Sequence, residues 1–272
     1  VNGLAGPAAM MAGVLTLGGI GALVSRNADV IRKWRTWMVS APLVAGCLWL
    51  GAPGAVLLAA GLGVTGAVEY GRLARLRAGD SALIAAAAVI LPLVAWRMPA
   101  ELSRAFGGVL LAAALVPVIG GDAVAGARRA AAAVFGAGWL AALTGLVLLR
   151  AAALPLIMAV AVADVGAWCT GRLLGGPALS PLSPAKRWSG VAGGALAGSA
   201  ALAVAGAVSG PGVFTPVHVI AVTVGPPVGD LLESMVKRGA GAKDAGRWLP
   251  GFGGLLDRID SLLVALALAV IL

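Results

Sequence analysis

Residues 189–208 read SGVAGGALAGSAALAVAGAV, twenty positions of Gly, Ala, Ser, Val and Leu without a charge. A run of that length and character crosses a bilayer as a helix. Backbone groups find no water in lipid, so only helices and closed barrels can span it. The run lacks the period-two alternation of a barrel strand. Working outward, comparable runs fall near 4–24, 38–50, 54–68, 81–96, 105–120, 130–149, 152–168, 213–229 and 260–272. Several are shorter than the roughly 20 residues a span wants, so their helices should extend into flanking polar residues. The 272 residues are 60% hydrophobic and 11% charged, against about 25% charged in a soluble domain. These features predict an all-α, polytopic integral membrane helical bundle of nine or ten spans. It reads as one transmembrane domain, with residues 1–150 as scaffold spans and 151–272 as catalytic spans and loops. The 41 glycines suit close helix packing in lipid and would permit a homodimer.

Charge then orients the bundle. With the N-terminus outside, seventeen basic residues fall on the cytoplasmic side and only Arg97, Arg104 and Arg150 on the other. The net charge of +9 is spread between spans. That pattern fits an anionic lipid surface or a phosphate-bearing substrate, and no nucleic acid is expected. The first run lacks a basic leader and reads as a retained span. Cys47 and Cys169 lie in apolar segments without metal spacing and read as inert thiols. His218 reads as a satisfied interior histidine, and Glu101 and Asp122 as surface charges in short loops.

Residues 229–260, GDLLESMVKRGAGAKDAGRWLPGFGGLLDRID, hold five of the eleven acidic residues and five of the twenty basic ones. Such density beside a membrane is costly unless it binds something. Asp230, Glu233 and Ser234 share one helical face, followed a turn later by Lys237 and Arg238. Lys243 and Asp244 come next, then a glycine turn around Pro250. Asp257 and Asp260 point the same way at the opening of the last helix, where negative charge is favoured. Converging carboxylates call for a cation, and carboxylate oxygen is the hard donor that magnesium takes, usually with phosphate oxygens. The acids gathered in this stretch are therefore candidates to hold such a cation. Lys237, Arg238 and Arg258 would hold the remaining phosphate charge, a set suited to phosphoryl or nucleotidyl transfer.

A second constellation covers residues 164–194. Asp164 is expected near the cytoplasmic end of its apolar helix as a metal- or phosphate-site residue. Ser180, Ser183, Lys186 and Arg187 follow among Gly and Pro, in a loop able to present amides and cations to a polyphosphate.

These residues resemble the phosphatidate cytidylyltransferases, or CDP-diacylglycerol synthases. The signature of that family runs approximately S-x-x-K-R-x-x-x-x-K-D-x-x-x-x-x-P-G-H-G-G-x-x-D-R-x-D. Ser234, Lys237, Arg238, Lys243, Asp244, Pro250, Gly251, Gly253, Gly254, Asp257, Arg258 and Asp260 match it. Asp164, Gly166, Ala167, Gly171, Arg172, Ser183, Pro184, Lys186, Trp188 and Gly190 resemble its earlier D-x-G-A-Y…G-R…S-P-K-K-T-W-E-G pattern. Glu69, Tyr70 and Arg72 look like its E-Y-x-R. The resemblance implies a magnesium-dependent reaction of CTP with phosphatidate, giving CDP-diacylglycerol and pyrophosphate. By motif position it implies Asp230, Asp257 and Asp260 as the metal-site carboxylates and Ser234 and Lys237 as phosphate contacts beside them, at the cytoplasmic face of a bacterial plasma membrane. Four positions depart from the pattern: Phe252 stands for His, Ser189 for Glu, Arg187 for Thr, and Ala163 for a polar residue. A CTP-dependent lipid alcohol kinase, or a degenerate paralogue that only binds lipid or nucleotide, are the competing readings.

Overall fold

The computed structural model describes residues 28–210, 212–242, 245–246 and 253–272, with isolated positions before residue 28 (6, 9, 11–13, 15, 16, 19 and 20). The span expected at 4–24 therefore lies largely outside the described residues, as do Lys243, Asp244 and Phe252.

Nine long helices follow one another in the described residues. They are α1 (Ala28–Trp49), α2 (Ala52–Leu73), α3 (Ala78–Arg97), α4 (Leu102–Ile119) and α5 (Gly126–Ala141), which runs through a 3-10 turn into a short α6 (Gly145–Leu148). Then come α7 (Ala153–Leu174), α8 (Trp188–Ser209), α9 (Pro216–Gly239) and α10 (Leu256–Ile271). Seven segments between Ala52 and Gly239 are long and apolar enough to cross a membrane, so the protein is an integral membrane helical bundle. The spans extend into flanking polar sequence, as expected: α2 carries Glu69, Tyr70 and Arg72, and α9 runs through Asp230 to Arg238. One boundary needs correction. Arg32, Lys33 and Arg35, which lie before the run expected at 38–50, belong to α1, which begins already at Ala28.

Between α7 and α8 a hairpin of β1 (Ala178–Ser180) and β2 (Ser183–Arg187) pairs Ala178 with Arg187 and Ser180 with Ser183. Gly175 and Gly176, at φ 62° and 100°, turn the chain out of α7 into it, a conformation that side chains resist. The flanking helices pack through small residues. A Cβ on Gly190 or Gly194 would stand 2.8 and 2.9 Å from the Ala167 and Ala163 carbonyls. Only glycine allows that approach, and in lipid such contact is what holds helices together. α10 is deeply enclosed, with Leu256, Leu263, Ala265 and Leu266 at 0% exposure. It packs on α9 and α7, and also touches α2, α5 and α6.

A buried ionic staple joins α3, α5 and the loop between α4 and α5. Asp80 is fully buried and takes the Arg129 guanidinium on both oxygens, Nε and Nη2 each at 2.8 Å. Asp122 accepts from Arg129 Nη1 at 2.6 Å and pairs with Arg77 at 3.1 Å. The Ala125 N–H and the Arg129 guanidinium hold the Asp122 carboxyl below the usual carboxylate range. Asp122 is thus no surface charge: its side chain is 5% exposed. A loop of six residues gave no hint that an arginine one turn into α5 would fold back over it. Glu101 does sit at the surface, paired with Arg104. His218 is satisfied, its Nδ1 2.9 Å from the Val213 carbonyl. Replacing Arg129 with Met leaves the fully buried Asp80 without its cation and Asp122 with the exposed Arg77 alone, which is more costly than losing an exposed pair. Arg129→Met should lower Tm by at least several degrees, whereas Arg104→Met should leave it nearly unchanged. Thermal unfolding in detergent measures both.

Candidate active site

The site forms where α9, α10, α7 and the hairpin meet. α9 and α10 come together through Gly225 and Gly229. A Cβ on Gly225 would lie 2.7 Å from Ala265 Cα, and one on Gly229 2.8 Å from Ser261 Cα. This approach sets the Asp230–Lys237 face of α9 against Asp257 and Asp260 at the start of α10. Lys237 Nζ bridges the two helices, donating to Glu233 Oε2 at 2.6 Å and Asp257 Oδ1 at 2.8 Å. Asp257 also accepts the Gly254 N–H at 2.7 Å and the Ala245 N–H at 3.0 Å on Oδ2. One carboxylate thereby organises both ends of the glycine loop. Asp260 is buried at 4% exposure, and Lys186 and Lys237 both act on it electrostatically.

From the other side, Lys186 of β2 forms an ion pair with Asp230. Burial pushes the Lys186 ammonium below the ordinary lysine range, against the pull of Asp260, Asp164 and Glu233. Asp164 Oδ1 accepts the Ser261 hydroxyl at 3.2 Å and remains open at the surface. Because α7 continues to Leu174, Asp164 lies ten residues, about 15 Å, before the helix end, deeper than the sequence implied. Ser183 opens β2, and Arg187 donates to the Gly176 carbonyl at 3.0 Å. The Ser189 hydroxyl donates to the Gly175 carbonyl. Where the signature pattern has Glu, this chain thus uses a short side chain to close the hairpin base.

The donor chemistry fits a hard cation. It is carboxylate-rich, and Glu233 Oε1 is buried without a hydrogen-bond partner among the described residues. No three acidic, histidine or cysteine groups among those residues form a ready-made cage, however. The expected trio is divided: Asp230 is held by Lys186, Asp257 by Lys237 and loop amides, and Asp260 is buried between them. Magnesium commonly takes one or two carboxylates and completes its shell with substrate phosphate and water, so a preformed cage is not required.

The model of the cytidylyltransferase family matches residues 31–272. The chain belongs to the cytidylyltransferase family. It is 52% identical over 108 residues to a protein named phosphatidate cytidylyltransferase from Brucella suis, covering 39% of this chain and 40% of that one. Proteins of the same name from Mycobacterium leprae and Mycobacterium bovis are 41% and 40% identical over 121 and 114 residues. Those matches cover 42% and 40% of this chain, and 38% and 36% of theirs. The matched stretches thus span well under two thirds of these relatives.

Within this cytidylyltransferase bundle Asp164, Lys186, Asp230, Lys237, Asp257 and Asp260 do converge. Ser234 shares the face of Asp230 and is half-buried, and Arg238 and Arg258 are exposed at the rim. Lys237, expected on phosphate, is taken up by two carboxylates. Two residues without an assigned role in the sequence belong to the site's framework. Glu233 is 4% exposed, and its spacing of four from Lys237 was the available signal. Glu69, fully buried, accepts the Leu255 and Leu256 N–H groups at 2.9 and 2.7 Å. No local pattern links it to residues so far along the chain.

Proposed function

We propose that this protein is a phosphatidate cytidylyltransferase. The lipid phosphate oxygen attacks the α-phosphorus of CTP, the bond to the β-phosphate oxygen breaks, and CDP-diacylglycerol and pyrophosphate leave. The observation that carries the reading is the convergence of Lys186 and Lys237 with five carboxylates at one end of an apolar bundle. A water-soluble triphosphate and a bilayer-held phosphate can both reach such a place. The basic asymmetry of the loops supports its assignment to the cytoplasmic side.

Magnesium is the proposed cofactor, with one or two carboxylates from among Asp230, Asp257, Asp260 and the neighbouring Glu233 as the residues that would hold it; when bound, it would neutralise charge on the phosphates. The chain's own contribution is orientation and charge. Asp230 holds the Lys186 ammonium at the mouth of the cluster, where an incoming phosphate can replace the carboxylate as its partner. Glu233 and Asp257 hold Lys237 extended between the helices, so its charge needs no reorganisation when phosphate arrives. Arg187, Arg238 and Arg258 supply further positive charge around the rim, and Ser234 offers a hydroxyl on the Asp230 face. The Ser183 hydroxyl opens the same hairpin strand.

Purified protein given CTP labelled in the α-phosphate, magnesium and phosphatidate should transfer the label to lipid and release pyrophosphate. Release of CDP with label-free lipid would identify a kinase instead and overturn the proposal.

A further inference from the structure

We infer that Glu69 is a positioning residue for the reaction, acting through the loop and first turn that carry Asp257 and Asp260. The inference rests on the cytidylyltransferase reading above. Glu69 comes from α2, in the first half of the chain, yet each of its carboxylate oxygens is spent on one backbone amide at the start of α10. Oε1 accepts from Leu255 and Oε2 from Leu256. α10 has no side-chain cap of its own. The unpaired amides and positive end of a helix favour a carboxylate there. Glu69 therefore serves as a cap supplied from a distant helix.

Two glycines enclose that carboxylate. A Cβ on Gly246 would stand 3.0 Å from Glu69 Cδ, and one on Gly254 2.8 Å from Oε2 and 2.7 Å from the Gly246 nitrogen. The two loop segments close on Glu69 from both sides, and neither position has room for a side chain. Asp257 completes the arrangement by accepting from Ala245 and Gly254. Two carboxylates thus share four amides, Glu69 taking 255 and 256 and Asp257 taking 245 and 254. If Glu69 lets go, the first turn of α10 loses its anchor. Asp257 then shifts against Lys237, and Asp260 shifts with the helix. Because both oxygens of Glu69 face backbone amides, it acts through these residues and not on substrate.

The test uses Glu69→Gln in the full-length purified protein. Glutamine keeps the volume and one acceptor but turns an NH2 toward the second amide. Three quantities are read: hydrogen–deuterium exchange of residues 253–262 without substrate, kcat and KM for CTP, and thermal unfolding. Exchange at 255 and 256 should quicken, and kcat should fall by about 10- to 100-fold, the scale of a small misplacement of reacting groups. KM for CTP should stay within about threefold, because no substrate contact is removed. Gly254→Ala, which leaves every carboxylate in place but presses on Glu69, should reproduce this pattern. The double variant should be no worse than the poorer single, since both break one unit. If Glu69→Gln fails to fold, Gly254→Ala carries the same readouts.

Unchanged exchange at 255 and 256 overturns the inference. So does wild-type kcat despite faster exchange, or a loss confined to KM. Absence of CDP-lipid synthesis by the unmutated protein sinks the functional reading and the catalytic half of this inference with it; exchange then decides the structural half separately.

Discussion

Asp260→Asn is expected to lower CDP-lipid formation on the order of 10²–10³-fold while leaving the substrate-free protein as stable as before, or more so. Asparagine has the shape of aspartate but loses the charge and one strong acceptor. Asp260 is 4% exposed, and both Asp164 and Glu233 are within electrostatic reach of it. Buried carboxylates close together disfavour one another's charged form, so removing one charge relieves the resting protein. The same repulsion would draw a divalent cation to the cluster, and Lys186 and Lys237 already act on Asp260. Losing one preorganised electrostatic partner in a water-poor site commonly costs that much in turnover. Two measurements separate this from a structural defect. Magnesium should raise the Tm of the unmutated protein and raise that of Asp260→Asn much less. Turnover, followed by pyrophosphate release, should fall without a fall in Tm. Full turnover by Asp260→Asn would remove Asp260 from the chemistry.

The fold was legible because the apolar runs are numerous and nearly free of charge. Each run from 38–50 onward corresponds to a helix, and where a run was too short for the bilayer its helix continues into charged sequence, as in α2 and α9. The site was legible in part. Asp230, Lys237, Asp257 and Asp260 stand at helical spacings that direct them to shared faces, so local periodicity predicts their company. What periodicity cannot give is pairing across the chain. Lys186 meets Asp230 because a hairpin folds over α9, and Glu69 meets Leu255 because α2 lies beside α10. The Asp80–Arg129 pair is equally nonlocal, and it turned Asp122 from an apparent surface charge into a buried one. Charges in a membrane protein seek partners wherever packing brings them, and that packing is set by glycines whose role appears only once the opposing helix is known.

Gly229→Val tests that dependence directly and should be severe. Gly229 faces the backbone of α10 so closely that even a methyl group would meet the Asp260 carbonyl and lie 2.8 Å from Ser261 Cα. The obstacle is main chain within a helix and cannot rotate aside, so α9 and α10 must separate. Overpacking of this kind costs about 1–3 kcal/mol or more. The site feels the same displacement, because Asp230 adjoins Gly229 and Asp260 is the residue struck. Lys237 reaches across from α9 to Asp257 at 2.8 Å, and a helix shift of an ångström exceeds what that bond tolerates. Turnover should therefore drop by about 10²-fold or more even in the fraction that folds. Gly107→Val is the matched control: it lies on α4 with nothing within 4 Å of its Cβ position, so the same change there should leave both Tm and turnover close to normal. Gly229→Ala should fall between the two. If Gly229→Val behaves like Gly107→Val, close contact between α9 and α10 is not what brings the acidic residues together.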